Sequence, residues 1–252
     1  MIHRRPAAPI RWCGIDYGET IMNPLTLHQS VVIREVYREL GRPAEADDRV
    51  QRYYRSRDRM GPAGSPPHML VRDLKQYARE AFYRDVFDDE RRAIELYEAK
   101  EVKGFGEAPG VEQALALLKS RNIGAAIVSE SGSLIAAQTV ARYLRTHGLT
   151  PYFQEIITPA GRFSVDGELV DASFKGATKK AGTIYAKIRD YLATQGIPSS
   201  AAAIIGDDPQ LDCGHASPYG FYTVQYLGVL DRGGSEQADF AMRDWSEIDQ
   251  IL

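Results

Sequence analysis

The chain has 252 residues and a formal net charge of −3 at pH 7, enough length to bury a sizeable core and no overall charge that would draw it to nucleic acid. No apolar run approaches the roughly 20 residues needed to span a bilayer. The basic segment 1–6 is followed by no apolar stretch of the secretory kind. Two cysteines, Cys13 and Cys213, are too few for a disulfide framework or a thiolate zinc site, and they read as buried free thiols of a cytoplasmic protein.

Residues 11–16 (Arg-Trp-Cys-Gly-Ile-Asp) predict a buried strand that ends in a carboxylate, Asp16, with Gly18 providing a sharp exit. From 24 to 103 the spacing is helical, as in Val31, Val32, Val36, Tyr37 and Leu40. Breaks are predicted at Gly41-Arg42-Pro43 and again over 61–67, where Gly, Pro and Ser cluster. Further amphipathic helices are predicted over 71–87 and 89–100, with Tyr77, Tyr83 and Tyr97 as packing residues. Pro109-Gly110 opens a helix over 111–120, and Asn122-Ile123-Gly124 turns into a strand over 125–129 that ends at Ser129. A helix over 134–146, a short strand at 156–158 and a hairpin over 162–170 about Asp166-Gly167 follow. A helix over 181–195 then leads to an apolar run, 201–205, and the acidic sequence Gly206-Asp207-Asp208-Pro209-Gln210-Leu211-Asp212. The last predicted strand is 221–226. Strands alternating with helices define an α/β fold with a parallel, doubly wound sheet. The predicted division is a core of 1–22 with 105–252 and an all-helical insert of 23–104.

In such sheets ligands bind at the carboxyl ends of the strands. Asp16, Ser129, Lys179 or Lys180, and the cluster Asp207, Asp208 and Asp212 can all reach that edge. An aspartate beside Mg²⁺ can attack an electrophilic phosphorus as a covalent nucleophile. Mg²⁺ takes hard oxygen ligands and keeps several waters, so a few carboxylates suffice. A serine hydroxyl and a lysine ammonium suit the oxygens of a transferring phosphoryl group. The lysine also offsets the crowding of carboxylates, which would otherwise raise their pKa values.

In this order these residues resemble the haloacid dehalogenase-like hydrolase superfamily, whose first motif is an aspartate after an apolar strand with Thr four residues on: Asp16 and Thr20 here. Its serine or threonine motif matches Ser129, its lysine motif Lys179 with Lys180 next to it, and its Gly-Asp motif Gly206-Asp207 with Asp208 and Asp212. The resemblance spans the whole chain and implies a Rossmann-like core with a helical cap of the C1 kind that opens and closes over the site. It also implies Mg²⁺ held by Asp16, the Gly18 carbonyl and Asp207, with Asp208 or Asp212 assisting, and a small anionic, phosphorylated metabolite as substrate. Nucleic acid and membrane are not expected partners.

Gly18 departs from the pattern. Phosphatases of the family carry a second aspartate two residues after the nucleophile, as general acid and base, and glycine supplies neither. Glu19, one residue displaced, reads as a solvated or cap-facing charge. The family's 2-haloacid dehalogenases also lack the second aspartate, but do not usually keep a Gly-Asp-Asp cluster. Its phosphonatases use a cap lysine, whereas the corresponding stretch here holds only arginines. A core that has lost catalysis and binds a metabolite or protein is a further alternative. Arg49, Arg52, Arg55, Arg57 and Arg59 form the densest cationic stretch, and Arg52 and Arg55 are candidate contacts for an anionic substrate. His68 sits in a loop, and His215 is expected to pack on the helical turn after Asp212.

Overall fold

The computed structural model describes residues 4–24, 29–64, 70–71, 74, 76–101, 104–130, 132 and 134–252, without the side chains of 57–64 and 134–136. His68 and the side chains of Arg57 and Arg59 lie outside the described residues. The chain divides into two compact units, Met1–Asn23 with Glu107–Leu252, and Pro24–Gly106. Strands β1 (Trp12–Ile15) and β2 (Met22–Asn23) open it. Four helices follow: α1 (Gln29–Glu39), α2 (Ala46–Gly64), α3 (Gln76–Phe87) and α4 (Arg91–Glu101). After β3 (Gly106–Glu107) come α5 (Val111–Ser120), β4 (Gly124–Val128) and α6 (Leu134–Thr146). Then come β5 (Glu155–Thr158), the hairpin of β6 (Gly161–Ser164) and β7 (Leu169–Asp171), and α7 (Thr183–Thr194). Strands β8 (Ala202–Gly206), β9 (Tyr222–Tyr226) and β10 (Phe240–Met242) complete the order.

The first unit is built on one eight-stranded sheet in the order β10-β9-β8-β1-β4-β5-β6-β7. Its strands run parallel from β10 to β5, and the β6–β7 hairpin adds an antiparallel edge. Every residue of β1, β8 and β9 is buried, as expected for central parallel strands covered on both faces. The chain winds from β1 to β4 on one side and to β8 on the other, so the crevice at their carboxyl ends is a topological switch point. One face packs on α7 through Ile184, Tyr185, Ile188 and Leu192, against Trp12, Ala126, Val128 and Ile204.

The second unit is helical among its described residues between α1 and α4. Its core joins Val32, Ile33, Val36 and Tyr37 of α1 to Phe82, Val86, Phe87, Ala93, Leu96 and Tyr97. Glu101, fully buried, accepts hydrogen bonds from the Val71 amide at 2.7 Å and Gln29 Nε2 at 3.0 Å. A buried carboxylate is tolerated where donors converge on it in this way.

Several local expectations are corrected. Within the stretch 61–67, where a break is predicted, α2 continues through 61–64, and 65–67 lie outside the described residues. Tyr77 is 71% exposed, whereas Tyr83 and Tyr97 do pack in the helical core. Val32, Val36 and Tyr37 of the predicted stripe are buried and Ile33 joins them, whereas Val31 is 49% exposed. The exit from β1 turns at Glu19, with φ 58°, rather than at Gly18. Strand β10 and the turns of Trp245–Ile251 were not foreseen; Trp245 is fully buried and its Nε1 donates to the Thr20 carbonyl at 3.1 Å.

Candidate active site

Strand register places the acidic residues. Ile15 lies opposite Ile127 of β4 and Ile205 of β8, so the next residue, Asp16, emerges between Val128 and Gly206, with Ser129 and Asp207 one step further. The Asp16 amide donates to the Ile205 carbonyl at 2.8 Å, which carries the parallel ladder up to the carboxylate. Ser129 is buried, and its amide continues the β4–β5 ladder by donating to the Ile157 carbonyl at 3.0 Å.

Gly206 is required sterically, since a Cβ there would lie 2.1 Å from the Asp212 carboxylate. Asp212 sits on the wide helical turn Pro209–Gly214, of the π kind that recurs at functional sites. Its Oδ2 accepts from the Asp208 amide at 3.1 Å. Asp208 itself is a correction. Its carboxylate caps this turn, accepting from the Gln210 and Leu211 amides at 2.9 and 2.8 Å, so it is not among the acids that converge. An aspartate ahead of a helical Pro is a favoured N-cap.

Lys179 closes the cluster and Lys180 does not. The Lys179 side chain is 2% exposed; its Nζ donates to Asp16 Oδ1 and, at 2.5 Å, to Asp212 Oδ1. Its amide donates to Glu130 Oε2 at 2.5 Å, and its carbonyl accepts from His215 Nδ1 at 2.8 Å. That bond fixes the proton of His215 on Nδ1 and corrects the expected packing role of this residue. Lys180 is exposed. The turn of 179–182 precedes α7, whose Tyr185 donates from its hydroxyl to the Leu211 carbonyl at 2.7 Å. These bonds hold the Lys179 backbone rigidly against the turn that carries Asp212.

Burial dominates the electrostatics. It pushes the Asp16 carboxyl up to about 7, with Asp212 adding to the rise and Lys179 opposing it. Asp207 is pushed up to about 8, again chiefly by burial, then by Asp16 and Asp212, while Arg232 opposes. Burial alone would lower Lys179, but Asp16 and Asp212 more than offset it and its pKa is raised. Lys179 therefore stays charged while Asp16 and Asp207 resist ionisation.

Glu19 and Arg232 belong to the same site, and sequence reasoning missed both. Glu19 is 7% exposed, not solvated as expected. The Arg232 fork donates from Nε to Asp207 Oδ2 at 2.8 Å and from Nη2 to Glu19 Oε2 at 2.5 Å. Glu19 also hydrogen-bonds the Asp207 side chain. The left-handed backbone at Glu19, uncommon for a residue other than glycine, is a signature of local constraint.

Oxygens of Asp16, Asp207 and Asp212 lie within 4.8 Å of one another. Three hard, buried carboxylate oxygens suit Mg²⁺. Thr20 Oγ1, the hydroxyl of the first motif, is buried without a partner. Among the described residues Lys179 and Arg232 pair with these acids and Glu19, and a divalent cation would add positive charge to the cluster. The donor set thus fits the ion. The Gly18 backbone is half-buried and bridges to Met22.

The arginine stretch has another use within the helical unit. Arg49 donates to the Val86 carbonyl at 3.1 Å, pairs with Asp88 and lies over the Tyr37 ring. Arg52 pairs with Asp48 at 2.7 Å and with Asp88 at 2.8 Å. Both therefore clamp the left-handed Asp88 in the α3–α4 turn, and Arg52 is committed to acids rather than free for an anion. Arg55 is exposed on α2.

No protein-family model and no curated sequence matches the chain. Solved structures do. A predicted phosphoglycolate phosphatase from Haemophilus somnus 129pt superposes with a TM-score of 0.56 at 15% identity, over 97% of this chain and 99% of that one. YfnB of Bacillus subtilis, described as a HAD-hydrolase and bound to magnesium, gives 0.55 at 15% identity, over 97% and 99%. A 2-haloacid dehalogenase from Pseudomonas syringae pv. Tomato DC3000 gives 0.53 at 17% identity, over 96% and 98%. The chain has the fold of the haloacid dehalogenase-like hydrolases: an α/β Rossmann-like core with a helical insert.

Proposed function

We propose that the protein is a haloacid dehalogenase-like hydrolase that transfers a phosphoryl group from a small anionic metabolite to Asp16 and then to water. The observation that carries this reading is the convergence of Asp16, Asp212 and Lys179 at the carboxyl ends of β1 and β8. An Asp16 oxygen forms a bond to phosphorus as the bond to the leaving oxygen breaks. Water then attacks the phosphorus of the aspartyl phosphate, releasing phosphate and regenerating Asp16. Lys179 offsets negative charge beside the nucleophile, and Ser129 is placed to bind a phosphoryl oxygen. Asp16, the Gly18 carbonyl and Asp207 would hold Mg²⁺, with Asp212 alongside, and that ion supplies charge neutralisation at the phosphoryl oxygens.

Gly18 offers the leaving oxygen no proton. Acyl and anhydride phosphates, whose leaving groups depart as stable anions, are therefore the preferred substrates. The buried free thiols of Cys13 and Cys213 suit a reducing, cytoplasmic setting. Among the described residues no helix is long and apolar enough to cross a membrane.

The test is phosphate release from a panel of acyl phosphates and phosphoesters, with and without Mg²⁺, by the native protein and Asp16→Asn. Release that needs both the metal and Asp16 supports the reading; release unaffected by Asp16→Asn ends it. Gly18 also favours a second reading, hydrolysis of a carbon–halogen bond, because halide leaves without a proton. Halide release from 2-haloacids in the presence of chelator would favour that chemistry.

A further inference from the structure

Of the two cations in the acidic cluster, Lys179 is locked and Arg232 is not. The Lys179 side chain is 2% exposed and its backbone is held by Glu130 and His215. Arg232 reaches in from the loop after β9 with a side chain 42% exposed. The loop's backbone has its own fastenings: the Gly233 carbonyl accepts from Gln225 Nε2 at 3.1 Å, and the Ser235 amide donates to Gln225 Oε1 at 2.9 Å. The guanidinium can therefore leave while the loop stays in place.

It holds a carboxylate that a metal would take. Arg232 Nε lies 2.8 Å from Asp207 Oδ2, whereas Mg²⁺ demands about 2.0–2.1 Å to each oxygen in near-octahedral geometry. A guanidinium and a divalent ion on one carboxylate repel each other at short range.

We propose that Arg232 is a tethered counter-cation that occupies Asp207 and Glu19 until a divalent metal takes Asp207, so that metal entry and release of the Arg232 fork are one exchange. This inference rests on the Mg²⁺ reading given above. Glu19 is the fork's second anchor and holds the released arm near the site. The left-handed backbone at Glu19 turns its carboxylate back toward Asp207, which a solvent-facing glutamate would not require.

The experiment is calorimetric titration of the full-length protein with Mg²⁺ alone, for the native chain, Arg232→Gln, Arg232→Lys and Arg243→Gln. Arg243 pairs with Asp231, next to Arg232 in sequence, so it controls for simple loss of a nearby charge. Arg232→Gln is expected to bind Mg²⁺ about tenfold or more tightly, the worth of a charged hydrogen bond to a buried carboxylate, and Arg243→Gln to be unchanged. The native Arg232 Nε–H resonance, assigned by its loss in Arg232→Gln, should shift as Mg²⁺ is added. Arg232→Lys keeps the charge but cannot fork across both acids, and should fall between native and Gln; it serves as the second variant if Arg232→Gln does not fold. Equal affinity in the native chain and the Arg232 variants, or an unmoved Nε–H resonance while Mg²⁺ binds, overturns the exchange alone. Absence of Mg²⁺ binding in all four proteins overturns the metal reading and the exchange with it.

Discussion

Replacing Lys179 by Met keeps the stem's volume and removes the charge that Asp16 and Asp212 share. Taking one partner from a buried ion pair costs about 3–5 kcal/mol, because the remaining charge is left without compensation. For a unit of this size each kcal/mol shifts the midpoint by about 2–4 °C, so the core should melt roughly 6–20 °C lower at pH 8. The loss should depend on pH, and its sign follows from Asp16. Its folded pKa, about 7, lies above the ordinary value of 3.8. A carboxylic acid raised in this way contributes stability that is present below 3.8 and is lost as pH rises through 7. Lys179 limits that loss, because it opposes the rise caused by burial. Without it the loss with rising pH becomes deeper, while at pH 5 the native and variant proteins both hold Asp16 largely protonated. The gap between them should therefore be smaller at pH 5 than at pH 8. Scanning calorimetry in chelator at both pH values measures it. A drop of less than about 2 °C at pH 8, or an equal drop at both pH values, would refute the assignment of Lys179 as the cluster's structural cation.

Gly18→Asp should raise phosphate release from poor leaving groups by about 10²–10⁴-fold and change acyl phosphates far less; kcat across a leaving-group series checks this. Gly206→Ala should cost about 1–3 kcal/mol and weaken Mg²⁺ binding together, because its Cβ would collide with the Asp212 carboxylate; thermal melts and calorimetry read both effects. Asp208→Ala should cost about 0.5–2 kcal/mol as a lost helix cap, with Mg²⁺ affinity unchanged. An affinity that collapsed instead would return Asp208 to the metal site.

The parts of the site legible in the sequence are those that strands deliver. Asp16 and Asp207 follow apolar runs whose burial on both faces is written in composition, and the register of a parallel sheet then brings them together. Asp212 is legible as the second acid after Gly206-Asp207, and the structure adds that a Cβ at 206 would collide with its carboxylate. Lys179 and Lys180 could not be separated because the choice depends on the turn before α7, where Glu130 and His215 grip one backbone position. Asp208 carried a readable signal, an acid before proline at a helix start, that the acidic motif concealed. Arg232 carried none: it stands in an irregular loop, and only the sheet order, with β9 beside β8, brings that loop to Asp207. Arg52 was read as a substrate contact because charge spacing along a helix does not reveal a partner such as Asp88, which lies in a later turn. Strand β10 has three residues, too few to display a period, and its pairing with β9 defines it.

The glycine at 18 and the glutamate at 19 are two halves of one substitution. An acid at 19 is close enough in sequence to suggest a shifted proton donor. The Glu19 carboxylate, however, is engaged with Asp207 and Arg232. On the proposed reading, Glu19 therefore tunes the metal side of the crevice and does not repair the loss at 18. On that proposed reading the chemistry left to Asp16 is displacement of groups that depart unprotonated, and substrate choice would follow from leaving-group stability before shape. A substrate series of constant size and graded leaving-group pKa would then show a steep dependence of kcat, and Gly18→Asp would flatten it.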